Sequence, residues 1–174
     1  MKLRLLFYSL LVIILFASCS SSKYAQKKER YDYVYEQSKD VKKTKDNKDT
    51  KQLLSFARKY IGVKYKVAGT SPQGFDCSGY VQYVFKNFNY NLPRNSVEQS
   101  KVGKEIKKSD IKPGDLVFFK GSSSSKVGHV GIVVETYTDN TFKFIHVSMK
   151  SGVTEDYSTN NYWSTRYIRA RRVT

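Results

Sequence analysis

Between Ser20 and Lys51 the chain contains no Leu, Ile, Phe, Met or Trp, while ten Lys/Arg and six Asp/Glu crowd the same stretch. Such a segment cannot bury enough apolar surface to offset the entropy of ordering it. Whatever core this 174-residue chain builds is therefore confined to residues 52–174. That length suits one domain around a single core. Ser20–Lys51 reads as a flexible basic tether whose r.m.s. reach as a coil is about 30 Å. Only Tyr31, Tyr33 and Tyr35 alternate within it in the manner of a strand.

The tether follows MKLRLLFYSLLVIILFASC. Lys2 and Arg4 form a basic start, Leu5–Phe16 is apolar except for Ser9, and Ala17 and Ser18 are small. This is the pattern of an export signal. It is too short for a comfortable bilayer span, which takes about 20 residues. Ending on small-small-Cys, it resembles a bacterial lipoprotein signal cleaved before a lipidated Cys19, with Phe16 where Leu is usual. An uncleaved anchor helix is the competing reading. The expected organisation is a signal over 1–18, the lipidated Cys and tether over 19–51, and a folded domain over 52–174. Ser20 after Cys19 points to the outer membrane, facing the periplasm. Cys77 is then left without an intramolecular disulfide partner, which implies either intermolecular pairing or a reactive thiol.

Within 52–174, Leu53, Leu54, Ala57, Tyr60 and Ile61 fall on one helical face, with Thr50 as cap and Gly62 past the end. After the loop VAGTSPQGF, Asp76 is placed to cap a second helix. Cys77, Val81, Val84 and Phe88 lie on one side of it, so the thiol sits in the first turn. Asn95-Ser-Val-Glu98 resembles a capping box. Leu116–Phe119, HVGIVVE, FKFIHVS and RYIRARRV read as strands, the last as a basic sheet edge. Helices first and strands later argue α+β with an antiparallel sheet.

Cys77, His129 and His146 are the domain's only thiol and imidazoles. A thiolate is the competent nucleophile, and a helix N-terminus and a nearby imidazolium both favour it. The two His can be placed by register. If Tyr137–Asn140 is a hairpin loop and Thr136 pairs with Thr141, Gly131 faces His146 and His129 faces Ser148. Both imidazoles then share a face within side-chain reach, whereas a one-residue slip would separate them. The three residues suit a nucleophile, a base and a group that orients the base, with the Cys77 N–H available to an oxyanion. A neutral His can orient the base but cannot stabilise its cation as a carboxylate would. A Cys-His-His zinc site is the competing reading, although the spacing matches no short zinc pattern.

FDCSGYVQYVF, LPRNSVEQ, IKPGDLVFF, GHVGIVVE and FIHVS, in that order, closely resemble the NlpC-type cell-wall cysteine peptidases over about Leu53 to Val173. The resemblance implies a papain-like α+β fold, helices packed on an antiparallel sheet, with Cys77 as nucleophile, His129 as base and His146 as third member. It also implies roles near the oxyanion or substrate for Tyr65, Asp76, Ser78 and Arg94. It implies hydrolysis of amide bonds in peptidoglycan stem peptides or their cross-links, either D-Glu–diaminopimelate or D-Ala–diaminopimelate. No cofactor or metal is implied, and a monomer is expected. Ala68-Gly69 departs from the family's usual Gly-Gly, which would crowd the loop or force a negative φ at Ala68. A non-catalytic peptidoglycan-binding module and an acyltransferase using the same three residues are the alternatives. The net charge of +16 suits anionic lipid head groups or stem-peptide carboxylates. An export signal and the lack of any DNA- or RNA-binding motif argue against a nucleic-acid partner.

Overall fold

The computed structural model describes residues 48–121 and 125–173. The expected signal, Cys19 and all of the tether before Lys48 lie outside them. The first helix, α1, is already formed at Lys48 and runs over 48–58, so the folded domain begins before residue 52. Thr50 is consequently inside the helix and does not cap it. Leu53, Leu54 and Ala57 are buried as their spacing requires. Ile61 lies beyond the helix end and is exposed. Gly62 takes the left-handed conformation, φ +90°, and its N–H donates to the Val153 carbonyl at 2.9 Å.

The VAGTSPQGF loop holds a two-stranded antiparallel ribbon, β1 (Thr70–Ser71) and β2 (Gly74–Phe75). Helix α2 (Cys77–Lys86) follows at once, capped by the Asp76 carboxylate accepting from the Gly79 N–H at 2.7 Å. It ends before Phe88, which packs on the core from the loop beyond. Helix α3 (Ser96–Gln99) is capped by Asn95, as its sequence implies. The reciprocal half of the capping box does not form, because the Glu98 carboxylate takes Lys101 instead.

Six antiparallel strands form the sheet: β3 (Lys104–Ile106), β4 (Leu116–Lys120), β5 (Val127–Thr136), β6 (Phe142–Ser148), β7 (Gly152–Tyr157) and β8 (Tyr167–Arg172). Their order is β3-β8-β4-β5-β6-β7, and α4 (Asn161–Ser164) links the last two in sequence. The sheet is buried on both faces. Leu116, Phe118, Val130, Ile132, Ile145 and Val147 pack with α1 and α2. The alternate residues Val117, Phe119, Val133, Phe142 and Phe144 pack with Trp163, Ile111 and Ala170 on the other side. Two-sided burial explains why Leu116–Phe119 is apolar without alternation.

Two expectations need correction. RYIRARRV is not an edge: β8 lies between β3 and β4. Its charges are matched locally, with Arg172 on the buried Asp115 at 2.8 Å and Arg171 on Glu105 at 3.1 Å. The edges are the three-residue β3 and the polar β7. In the hairpin, Thr136 pairs with Phe142 rather than Thr141, leaving a five-residue loop with Asn140 at φ 60°. A bulge between Val133 and Glu135 then takes up one residue, so Val133 faces Phe144 and Ile132 faces Ile145. Toward the two imidazoles the expected register is therefore restored.

Candidate active site

Cys77 is the first residue of α2, half-buried, and packs against the helix-side core. The backbone N–H groups of Val130 (the neighbour of His129 on β5), of Ser78 and of Cys77 itself favour the ionised sulfur. Burial pushes the thiol up, the Asp76 carboxylate adds to that, and the three N–H groups only partly reverse it. Burial of the sulfur therefore works against the thiolate that the helix N-terminus favours. His129 leans the same way. Burial first, then His146, push its pKa down to about 3 against the opposing pull of Asp156. At neutral pH the site holds a thiol and a neutral imidazole, which leaves His129 free to accept a proton.

His129 and His146 meet as the register requires. His129 Nε2 lies 3.0 Å from His146 Nδ1. Gly131 makes room for this: a Cβ there would stand 2.6 Å from the Phe144 ring and 3.3 Å from the His146 Cβ. His146 is 1% exposed, set between Phe144 and Trp163 with ring centroids 5.0 and 4.9 Å away. The Trp163 ring also lies against His129, 5.0 Å away and inclined by 30°.

Asp76, Ser78 and Arg94 form a second group. Arg94 donates to Asp76 Oδ1 at 3.1 Å, to Asp76 Oδ2, and to the Ser78 hydroxyl at 3.0 Å. Ser78 donates in turn to Asp76 at 3.2 Å. Burial opposes ionisation of Asp76, but the hydrogen bonds from Arg94, the Gly79 N–H and Ser78 hold its carboxyl below the usual range. These three residues therefore brace the N-terminus of α2 under the thiol, and the Arg94 guanidinium is committed to that brace. Tyr65 is tied to the same region by a bridge to Phe75 and is half-buried against the core. Ala68 takes φ 56°, so its methyl is carried in the left-handed region rather than forcing a negative φ.

Sequence reading does not single out Asp156 or Trp163. His146 faces Thr154 across the β6–β7 ladder, and Asp156, two residues on, shares that face. Its Oδ2 stands 2.9 Å from His146 Nε2 and accepts from Trp163 Nε1 at 2.9 Å. The available signal was the turn Met149–Ser151 after FIHVS, which starts a strand at Gly152 and fixes this parity. Among the described residues no group of three or more His, Cys, Asp or Glu is arranged to hold a metal ion.

Residues 62–172 match the NlpC/P60 family. A probable endopeptidase of Haemophilus influenzae is 41% identical over 122 residues, covering 70% of this chain and 73% of its own. The murein DD-endopeptidase MepS/murein LD-carboxypeptidase of Escherichia coli is 39% identical over 129 residues, covering 73% of this chain and 65% of its own. The crystal structure of an NLP/P60 family protein similar to lipoprotein from Staphylococcus aureus superposes with a TM-score of 0.64 at 32% identity. That match covers 72% of this chain and 41% of the other. The chain thus spans about two thirds to three quarters of the length of these two relatives and about two fifths of the solved one.

Proposed function

The chain belongs to the NlpC/P60 family, and from that premise we propose that it is a peptidoglycan hydrolase of the cysteine type, cutting an amide bond in stem peptides or their cross-links. The observation that carries the reading is the hydrogen-bonded His129–His146 pair across β5 and β6, with Val130, next to His129, presenting a backbone N–H that favours the ionised Cys77 sulfur. The relatives named as endopeptidase and murein endopeptidase supply the substrate class.

In this mechanism Cys77 attacks the amide carbon as His129 Nδ1 takes the thiol proton. Proton transfer accompanies attack, since the resting pair is neutral. The oxyanion forms at the open end of α2, where the Cys77 N–H and the Tyr65 hydroxyl are the donors. His129 then returns the proton to the leaving amine, and water hydrolyses the thioester by the same steps in reverse. His146 holds His129 in one orientation. Asp76, Ser78 and Arg94 keep the first turn of α2 in place. The bond cut is D-Glu–diaminopimelate or D-Ala–diaminopimelate, and the enzyme works as a monomer, exported and held at the outer membrane through a lipid on Cys19.

Digestion of purified muropeptides by the full chain, followed by mass spectrometry, tests the reading. Cleavage is expected from the unmutated protein, inhibited by iodoacetamide but not by EDTA, and lost in Cys77→Ala. Retained cleavage by Cys77→Ala would overturn it.

A further inference from the structure

One oxygen of Asp156 meets two ring nitrogens. Trp163 Nε1 only ever carries hydrogen and donates, so Oδ2 is an acceptor at that contact. The hydrogen bond from His146, opposed by burial and helped by Trp163, holds the Asp156 carboxyl below its usual range. The group is therefore an anion at neutral pH, and His146 must donate to it through Nε2. A neutral imidazole has one N–H. In the neutral ring with its hydrogen on Nε2, His146 Nδ1 is a bare acceptor, and it faces His129 Nε2 at 3.0 Å. That nitrogen must then carry the hydrogen of neutral His129, which leaves the lone pair on Nδ1. Without Asp156 the same 3.0 Å contact could run the other way, with His146 Nδ1–H donating to His129 Nε2. The proton would then occupy His129 Nδ1, and the ring could not act as base there.

We propose that Asp156, held by Trp163, is a positioning residue that fixes the tautomer of His146 and through it that of His129. The basic nitrogen of His129 is thereby kept on the side away from His146. Three features support this. Asp156 is 37% exposed while His146 is 1% exposed, so the anion stays hydrated as it contacts a ring that cannot be. The Trp163 indole packs on both imidazoles and bonds the carboxylate, tying all three groups to one rigid side chain. The carboxylate also favours a protonated His129. It thus supplies the charge that a neutral His in third position lacks.

The proposal deepens the hydrolase reading, and its test separates the two. Ring ¹⁵N shifts of the labelled full chain at neutral pH, without substrate, report both tautomers. The unmutated protein should show Nε2–H on His129 and on His146. Asp156→Ala should lose the uniform Nε2–H state and at least tenfold in kcat, with KM nearly unchanged. Asp156→Asn keeps an oxygen acceptor for both donors, so it should retain the tautomers and lose about threefold in kcat. Nδ1–H on His146 in the unmutated protein, or unaltered ring shifts in Asp156→Ala, would overturn the proposal. Correct tautomers in a protein that cleaves no muropeptide would sink the hydrolase reading and leave the positioning role standing.

Discussion

Replacing Gly79 with alanine sets helix propensity against packing. Gly79 is the third residue of α2, where alanine alone should gain about 1 kcal/mol. A Cβ there would stand 2.1 Å from the Gly69 carbonyl oxygen and 3.1 Å from Asp76 Oδ1. Ordinary contact begins at 3.4 Å, so helix and loop must part by about 1.3 Å. The Gly69 carbonyl also accepts the Asp76 N–H at 3.0 Å, and losing that bond costs about 1 kcal/mol. Overpacking adds about 1–3 kcal/mol. The balance is a net loss of about 1–3 kcal/mol. Because the displaced turn carries Cys77, and misplacement by about 1 Å can cost 10²-fold in rate, muropeptide cleavage should fall by about that factor. Urea denaturation and cleavage rates on the full chain measure both. A Gly79→Ala protein that is more stable and turns over normally would refute the reasoning.

Two further outcomes follow from the geometry. The His129 pKa is about 3 against 6.5 when free. The unfolded chain therefore binds a proton that the folded chain refuses as pH falls from about 6.5 to about 3, and stability drops across that window. Between pH 6.5 and 5, above the carboxylate range, the loss should reach roughly 2 kcal/mol, less if the open edge of the half-buried ring is hydrated. Denaturation midpoints for the unmutated chain and His129→Gln should diverge over that interval, and parallel curves would exclude the effect. Ala68→Gly relieves a left-handed alanine worth about 1–2 kcal/mol but frees the unfolded chain by about 0.4–1 kcal/mol. It should raise stability by up to about 1.6 kcal/mol, and a destabilised variant would contradict the assigned conformation.

What could be read from the sequence was local or periodic. Asp76 and Cys77 announced the helix N-terminus, and the alternation of HVGIVVE and FKFIHVS placed both imidazoles on one face. The loop pairing was off by one, and the bulge at Val134 compensated. Nothing in a Val-Val-Glu-Thr run marks a bulge, because that is settled by how the hairpin tip closes. Strand β7 escaped notice because an edge strand needs few apolar residues, and Thr154, Glu155, Asp156 and Tyr157 look like a loop. Asp156 escaped with it. The interior place of β8 depends on long-range strand order, which four arginines disguise. The neutral resting state of Cys77 and His129 depends on burial, a property of the packed molecule that a helix cap cannot reveal.

The sheet separates two hydrophobic clusters, and the site straddles them. Cys77 is seated in the cluster beneath α1 and α2, while Phe119, Phe144 and Trp163 of the other cluster grip the imidazoles. The spacing between sulfur and ring is thus a property of the seam between layers rather than of either layer. A slight slide of one slab over the other would retune that spacing and leave the bonds inside each half intact. Mutations deep in either slab, far from any substrate, can therefore detune the chemistry without unfolding the protein.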